Sequence, residues 1–456
     1  ILNFSTNSTS SQASQEVRFN FDNGGRFTGF FGADVFYENG HQGAQLQTNE
    51  QQLLTDVIPI ARQLQPGLVG MLFGPSNPSV LNGQFQPNTP YTSIPLLGIP
   101  LNTDEREAYA NYGSTRSYEL FGDGTWHVSD FFDLTVGARV SREMITSGYQ
   151  VFNATGRHAA TIGPALAQFG TGLNGMTGPN NLFAPTYGKL VNRTTATSAV
   201  GRIIGSFHLD EQTNAYVSVS RGRRPPALQF NVNANGSYTP VRLPAESLMN
   251  YEIGVKGEAE QGRFAYDLAA FYYQYNNFQS NVYQQGRYVA VNSGRANAPG
   301  FEASLQQALT SHLSAFLNYS YLHARFADKD NAGNRQEYAG NHLRLAPDHS
   351  AAFGLNLALP ISGSARFYVR PSYTWRSKVW FEDNNHPSYT QGAYGLVNLR
   401  MGVSFAHDHW DVGLFGANLN GKKYLIDAGN TGEQFNLATY IPGSPRTYGV
   451  SISGRF

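Results

Sequence analysis

Apolar and polar residues alternate with period two along most of this chain. Between Arg263 and Asn277, Phe264, Tyr266, Leu268, Ala270 and Tyr272 fall on one face, while Asp267 falls on the other among smaller residues. Alternation of this kind marks a strand with two unlike faces. Upstream, Tyr251, Ile253 and Val255 alternate with Asn250, Glu252, Gly254 and Lys256, a row suited to water or a polar lumen. From Ala365, Phe367, Val369, Tyr373 and Trp375 face one way, and Arg366, Arg370, Thr374 and Arg376 the other. Further alternating runs lie at about 15–21, 26–38, 115–127, 131–150, 197–208, 213–221, 287–308, 312–325, 347–359, 392–405, 409–419 and 446–456. Together they predict roughly fifteen strands, longer than a soluble sandwich needs.

The connections alternate as well. Asp22 to Gly25, Val128 to Asp130, Leu209 to Gln212, Ala259 to Gly262 and Ala406 to Asp408 read as tight turns. Long polar excursions at about 39–111, 151–195, 222–246, 326–346 and 420–445 hold most of the Pro, Asn and Gly clusters. Short turns on one rim and long loops on the other are the pattern of outer-membrane barrels, whose long loops face the exterior. Trp126, Tyr272, Trp375 and Trp410, near strand ends, fit the aromatic belts of a membrane interface. A soluble propeller is the competing all-β reading, but no blade repeat of about 40–50 residues is found.

Composition supports this picture. Aromatics make up 13% of the 456 residues and charged residues only 14%, against about 25% charged in a usual soluble domain. The 32 basic and 32 acidic residues balance, leaving no basic face for nucleic acid. The absence of Cys removes disulfides, thiolate metal sites and Cys nucleophiles. No stretch approaches the ~18 apolar residues of a spanning helix, and the mean hydropathy of −0.36 suits strands that need only ~9–11 alternating residues to cross. With no signal peptide and no Met at Ile1, the targeting end is expected to lie elsewhere.

Motifs for other chemistry are weak. Gly170-Thr-Gly-Leu-Asn-Gly175 spells a nucleotide-binding pattern, but it sits in a Gly/Asn/Pro-rich loop without the strand and helix such a site needs. Asp328-Lys-Asp330-Asn-Ala-Gly333 begins like a calcium loop, yet its fifth and twelfth positions are Ala332 and Ala339. His407 and His409 flank Asp408 in a turn, an incomplete ligand set. No G-x-S-x-G elbow occurs. The sequence therefore assigns no catalytic residue, no metal site and no cofactor.

The last strand, Tyr448-Gly-Val-Ser-Ile-Ser-Gly-Arg-Phe456, puts Tyr448, Val450, Ile452 and Phe456 on one face with a terminal aromatic. It resembles the signal by which the barrel-assembly machinery recognises outer-membrane barrels. Asn418-Leu-Asn-Gly-Lys-Lys-Tyr424, followed by Pro445-Arg-Thr-Tyr448, looks like the "NLFDKKY" element of TonB-dependent receptors, departing from it at Asn420-Gly421. Asn250-Tyr-Glu-Ile-Gly-Val-Lys-Gly257 and Phe271-Tyr-Tyr-Gln-Tyr-Asn-Asn-Phe-Gln279 are similar to two mid-barrel strands of those receptors. Asn292-Ser-Gly-Arg-Ala296 through Gly300-Phe-Glu302, and Ser14-Gln-Glu-Val-Arg-Phe19, match two more.

The resemblance implies an all-β, antiparallel transmembrane β-barrel, here partial, with roughly 15 strands of a 22-stranded whole. An odd strand count puts the termini on opposite rims, whereas single-chain bacterial barrels have even counts. About seven strands, the plug domain and its energy-coupling box are thus expected on a missing segment or a partner chain. The resemblance further implies active import of a scarce ligand, most often a ferric siderophore, across the cell outer membrane into the periplasm. The implied partners are the TonB–ExbB–ExbD energy-transducing complex, acting through the plug, together with outer-membrane lipid and a metal chelate or other small ligand. A passive porin or non-transporting fragment, and an outer-membrane barrel enzyme, are the alternatives.

Capture in such receptors uses loop aromatics for stacking and Arg or Lys for anionic chelates. The candidates are Arg223 and Arg224 before Pro225-Pro226; Tyr283, Arg287 and Tyr288 on the next hairpin; and Tyr338, Arg344, Trp380 and Phe381 on neighbouring loops. The inward charges Arg366, Arg370, Arg376, Arg400, Glu252 and Lys256 commonly pair with the plug in the family.

Overall fold

The computed structural model describes residues 2–22, 24–55, 80–81, 84–85, 92–94, 97–167, 180–181, 183–233, 236–284, 287–407, 409–432 and 437–455. Its wall is one antiparallel sheet in which fifteen strands follow one another in chain order. They are β1 (Leu2–Asp22), β2 (Phe27–Thr48), β3 (Glu105–Ser129), β4 (Phe132–Phe152), β5 (Leu190–His208), β6 (Thr213–Arg224), β7 (Glu246–Ala259) and β8 (Phe264–Asn276). The rest are β9 (Arg295–Ala308), β10 (Leu313–Leu322), β11 (His349–Ser362), β12 (Ala365–Arg376), β13 (Tyr394–Phe405), β14 (Trp410–Ala417) and β15 (Thr447–Gly454). Among the described residues β1 and β15 each pair on one side only.

Alternation dictates which way each side chain points. The register runs one outward row through Phe31, Gly122 and Ala138, and another through Ile253, Ala270 and Phe301. Large apolar residues on these rows stand open, with Leu120 68%, Ile253 59% and Ile452 69% exposed. Aromatic side chains gather near both ends of the rows, as in Phe27, Trp126 and Trp410 below and Tyr118, Tyr272 and Tyr448 above. The inward rows carry the charges. Arg139 pairs with Glu119 at 2.8 Å, Arg202 with Asp123 at 2.9 Å, and Asp133 bridges His127 and His208 at 2.8 and 2.9 Å. Apolar outside and polar inside is the arrangement of a transmembrane β-barrel wall, inverted relative to a soluble protein.

The tight turns place non-glycine residues in the left-handed region, as at Glu260 and Gln261 (φ 53° and 61°), with Gly262 (φ 81°) donating its N–H to Ala259 at 3.1 Å. Two further short turns, at 309–312 and 363–364, join those anticipated.

Several boundaries differ from the alternation pattern. β2 and β3 run 22 and 25 residues, so the excursion expected over 39–111 shrinks to 49–104, and that over 151–195 to 153–189. Their upper halves lie beyond the ~9–11 residues a membrane requires. There the connections cover one face, burying Ala44, Leu46 and Thr48 of β2 and Glu105, Glu107 and Ala110 of β3, and because many of these covered residues are polar the period-two signal fades while the hydrogen-bonded ladder continues. The run 287–308 is broken at Ser293-Gly294, where Gly294 has φ 85°. Residues Arg287–Asn292 instead pair with Gln279–Gln284 in a separate hairpin. That hairpin is a long connection the pattern did not separate from the wall, and the 377–393 connection, which carries Trp380 and Phe381, adds to the five long excursions. Asp267 lies between Ala265 and Ala269 on its inward row and opposite Ser304, with the larger Phe271, Tyr273 and Tyr275 further along the same row. The Gly170–Gly175 run, Asp408 and Phe456 lie outside the described residues.

Candidate ligand-capture site

The long connections are tied to one another rather than hanging free. Gln279 spans two of them, its side-chain amide donating to the carbonyls of Pro225 (3.0 Å) and Pro244 (2.8 Å) while its backbone N–H meets Glu246. Asn385, in left-handed backbone (φ 52°), accepts the N–H of His342 at 2.7 Å and donates back to its carbonyl at 2.9 Å. Asn341 donates to the carbonyl of Asp383 at 2.9 Å, and Leu345 N–H donates to that of Trp380 at 2.8 Å. Loops 323–348 and 377–393 are thereby zipped together by amide side chains.

This zipper sets a cationic, aromatic patch at the top of the inward row of β12. The Nζ of Lys378 sits 3.5 Å from the Trp380 ring centroid, and the His342 ring lies 6.0 Å from the same indole. Arg325 donates to His323 at 3.2 Å and reaches Asp348 at 3.5 Å, as does His342. Burial, then the charge of Arg325, lowers the His342 pKa, so the ring is neutral at pH 7 and leaves Arg325 and Lys378 as the fixed cations. Burial raises the Asp383 pKa, which weakens it as a counter-charge to Arg344. Below the patch the wall forms an open pocket of about 600 Å³, lined among others by Phe271, Tyr273, Glu302, Arg376 and Tyr394.

The anticipated residues divide. Trp380 and Arg344 lie on the two zipped loops. Phe381 is 2% exposed and packs with Val379 and Ala428, so its ring is closed to a ligand in this conformation. Tyr338 packs against Phe326 at 5.7 Å, and burial with the nearby Glu337 and Asp383 charges pushes its hydroxyl up to about 12. Arg223 is held by Glu143, whereas Arg224 is exposed and donates to the Gln279 carbonyl at 3.2 Å. Tyr283, Tyr288 and Arg287 lie in the paired hairpin strands, with Tyr283 opposite Tyr288, but their side chains fall outside the described residues. Lys378, Arg325, His323 and His342 were missed. Extending the inward row of β12 past Arg376 in steps of two reaches Lys378 and Trp380, a signal present in the sequence. Among the described residues no group of three His, Asp or Glu is placed to hold a metal.

Three of the inward charged residues have partners within the wall. Glu252 accepts from Tyr216 (2.6 Å) and Asn250 (3.2 Å), Arg376 lies over Tyr394 at 5.5 Å, and Arg400 pairs with Asp411 at 3.2 Å. On β15, Tyr448, Val450 and Ile452 all point outward and are mostly exposed.

An inside-out antiparallel wall with stitched loops on one rim defines a membrane-barrel receptor scaffold. A family model described as "TonB dependent receptor-like, beta-barrel" matches residues 2–419, and the chain belongs to that family. The pesticin receptor of Yersinia enterocolitica is 19% identical over 291 residues, which is 64% of this chain and 37% of that protein. The ferric-pyoverdine M114 receptor PbuA of Pseudomonas sp. is 25% identical over 253 residues, 50% of this chain and 28% of that one. Among solved structures, the ferric yersiniabactin uptake receptor FyuA from Yersinia pestis superposes with TM-score 0.67 at 16% identity, covering 98% of this chain and 54% of that one. The siderophore receptor PiuA from Acinetobacter baumannii gives 0.62 at 13% identity, covering 98% and 56%. The chain thus spans about half the length of these structures and about a third of the curated relatives. At such identities the structural likeness establishes the fold. The relatives are receptors, not enzymes.

Proposed function

We propose that this chain forms the ligand-binding wall of an outer-membrane receptor that imports an anionic metal chelate, a ferric siderophore first among them, into the periplasm. The observation that carries this reading is the patch at Lys378, Trp380 and Arg325, where fixed cations and an indole face a mouth above a roomy lumen. An aryl or carboxylate chelate is complementary to such a surface. In this reading the long loops face the exterior. Import is driven by the TonB–ExbB–ExbD complex through a plug region supplied from outside residues 1–456. A sheet in lipid cannot leave two edges of unpaired backbone, so β1 and β15 gain strand partners in the membrane. The names of FyuA as a ferric yersiniabactin uptake receptor, PbuA as a ferric-pyoverdine receptor and PiuA as a siderophore receptor support the ligand class.

Trp380→Ala and Lys378→Ala are each expected to weaken binding of the receptor's ferric chelate about tenfold, the scale of one lost aromatic or cation–π contact. Equilibrium binding of a panel of labelled ferric chelates to cells expressing each variant at equal surface levels reads this out. Unchanged affinity in both variants for every chelate that binds would sink the patch as the capture site. Membrane insertion has its own test. Ile253 points outward midway along its strand, and Ile253→Arg is expected to cost about 2–4 kcal/mol of folding stability in bilayers. Folding yield in lipid vesicles equal to that of the parent chain would contradict a lipid-facing row.

A further inference from the structure

We propose that the inner wall carries an oxyanion site in which the guanidinium groups of Arg370 on β12 and Arg400 on β13 together bind a carboxylate or phosphate group of a small soluble anion. The strand register places these two residues directly opposite each other, and both belong to inward rows. Like charges directly opposite in a sheet repel and destabilise it. Such a pair calls for a counter-charge, and the wall supplies too little. Asp411 is the only Asp or Glu in β11, β12, β13 and β14, which also carry Arg366 and Arg376. That carboxylate is already engaged, accepting from Arg400 at 3.2 Å and from the Tyr368 hydroxyl at 3.0 Å.

Arg370 is fixed in place by neutral groups. Its Nε donates to Asn356 Oδ1 at 2.9 Å and its guanidinium lies 4.7 Å from the Tyr368 ring centroid. Neither contact cancels its charge, and no carboxylate lies within 4.0 Å of it among the described residues. Side-on stacking with one Nε bond leaves the terminal nitrogens free to grip an oxyanion bidentately. The floor is built to hold this geometry. Tyr368 is 3% exposed, and a Cβ at Gly402 or Gly413 would fall 2.6 or 2.7 Å from its hydroxyl. Two glycines on neighbouring strands thus open the notch that seats the tyrosine between the arginines. The site lies eight residues below Lys378 on the inward row of β12 and does not rest on the identity of any chelate captured at the mouth.

The test uses the complete receptor, with its plug and remaining strands, in detergent, with inorganic phosphate and citrate as probes against chloride at equal ionic strength. Both probes should raise the melting temperature and bind measurably by calorimetry. Arg370→Gln and Arg400→Gln should each weaken phosphate about tenfold, the scale of one lost charge-assisted hydrogen-bond pair. Arg370→Gln should also melt higher than the parent without anion, because the repulsion is gone. A merely structural arginine would lower it. Trp380→Ala should leave phosphate binding intact, which separates this site from the mouth. Indifference of the parent to phosphate and citrate overturns the proposal, as does undiminished phosphate affinity in Arg370→Gln. A response to an acidic peptide alone would reassign the arginines to a polypeptide contact and equally overturn it.

Discussion

Glu50→Ala should free the connection at 153–189 from the one at 49–104 and raise amide exchange at residues 161–163 by about a thousandfold. Glu50 is fully buried just past the end of β2. Its Oε1 accepts the backbone N–H of Thr161 (2.6 Å) and Ile162 (3.1 Å) and the side-chain amide of Asn181 (2.8 Å), while Oε2 accepts the N–H of Asn102 at 2.7 Å. One carboxylate thus satisfies four donors from three separate segments. Hydrogen bonds to a charged acceptor contribute about 1.5–3 kcal/mol each, and a buried donor left alone costs about 1–3 kcal/mol. Even with partial relaxation to water, a local loss of about 4 kcal/mol follows, and local opening rates track that figure. Glu50→Gln should fall between, since its amide retains one acceptor oxygen but turns a donor toward N–H groups. Exchange mass spectrometry on the folded chain checks both variants. Parent-like protection at 161–163 in Glu50→Ala would show that the segments hold without the carboxylate.

None of this was legible in the sequence, and the reason is physical. Period-two alternation reports a difference between two faces, so it found β7, β8 and β12, where lipid lies on one side and a polar lumen on the other. It faded along Asn3 to Gln12, where both sides of the ladder are exposed and Ser, Thr, Asn and Gln suffice, and along Gln42 to Thr48, where the connections bury a face that mixes Ala44 and Leu46 with Thr48. Glu50 and Glu107 carry no local sequence signal of burial, because their carboxylates are buried by donors brought from distant parts of the chain, such as Asn102, Asn181 and Phe183. The mouth was half legible. Trp380 and Arg344 stood out as residue types, but Phe381 did too, and only its packing with Val379 and Ala428 distinguishes a loop core from a binding surface. Lys378 and His342 gain their meaning from the Asn385 zipper, which local sequence does not announce.

Raising the pH from 6 to 9 should loosen the same junction, and Glu105→Gln should abolish the effect. Glu105 opens β3 and is fully buried. It stands thirteen residues beyond Tyr118, which marks the upper end of the outward aromatic row, and so lies outside the membrane-spanning stretch. Burial, then the charge of Glu107, pushes its carboxyl up to about 9 from an ordinary 4.5. Glu107 itself accepts the backbone N–H groups of Asn181 and Phe183, at 2.5 and 2.9 Å, so a second negative charge beside it would strain the contact that holds these two residues. The sign follows from proton counting. Between about 4.5 and 9 the folded junction keeps a proton that the unfolded chain has lost, so stability falls as pH rises and levels off above about 9. The limiting slope is about 1.4 kcal/mol per pH unit. Glutamine keeps the shape and a donor but cannot ionise, so its profile should be flat and its junction firmer than the parent's at pH 8. Limited proteolysis within 157–167 and 180–186, normalised to cleavage of an unstructured peptide at each pH, measures both. A parent profile that rises with pH, or a Glu105→Gln profile as steep as the parent's, would mean that the proton at this position does not govern the junction.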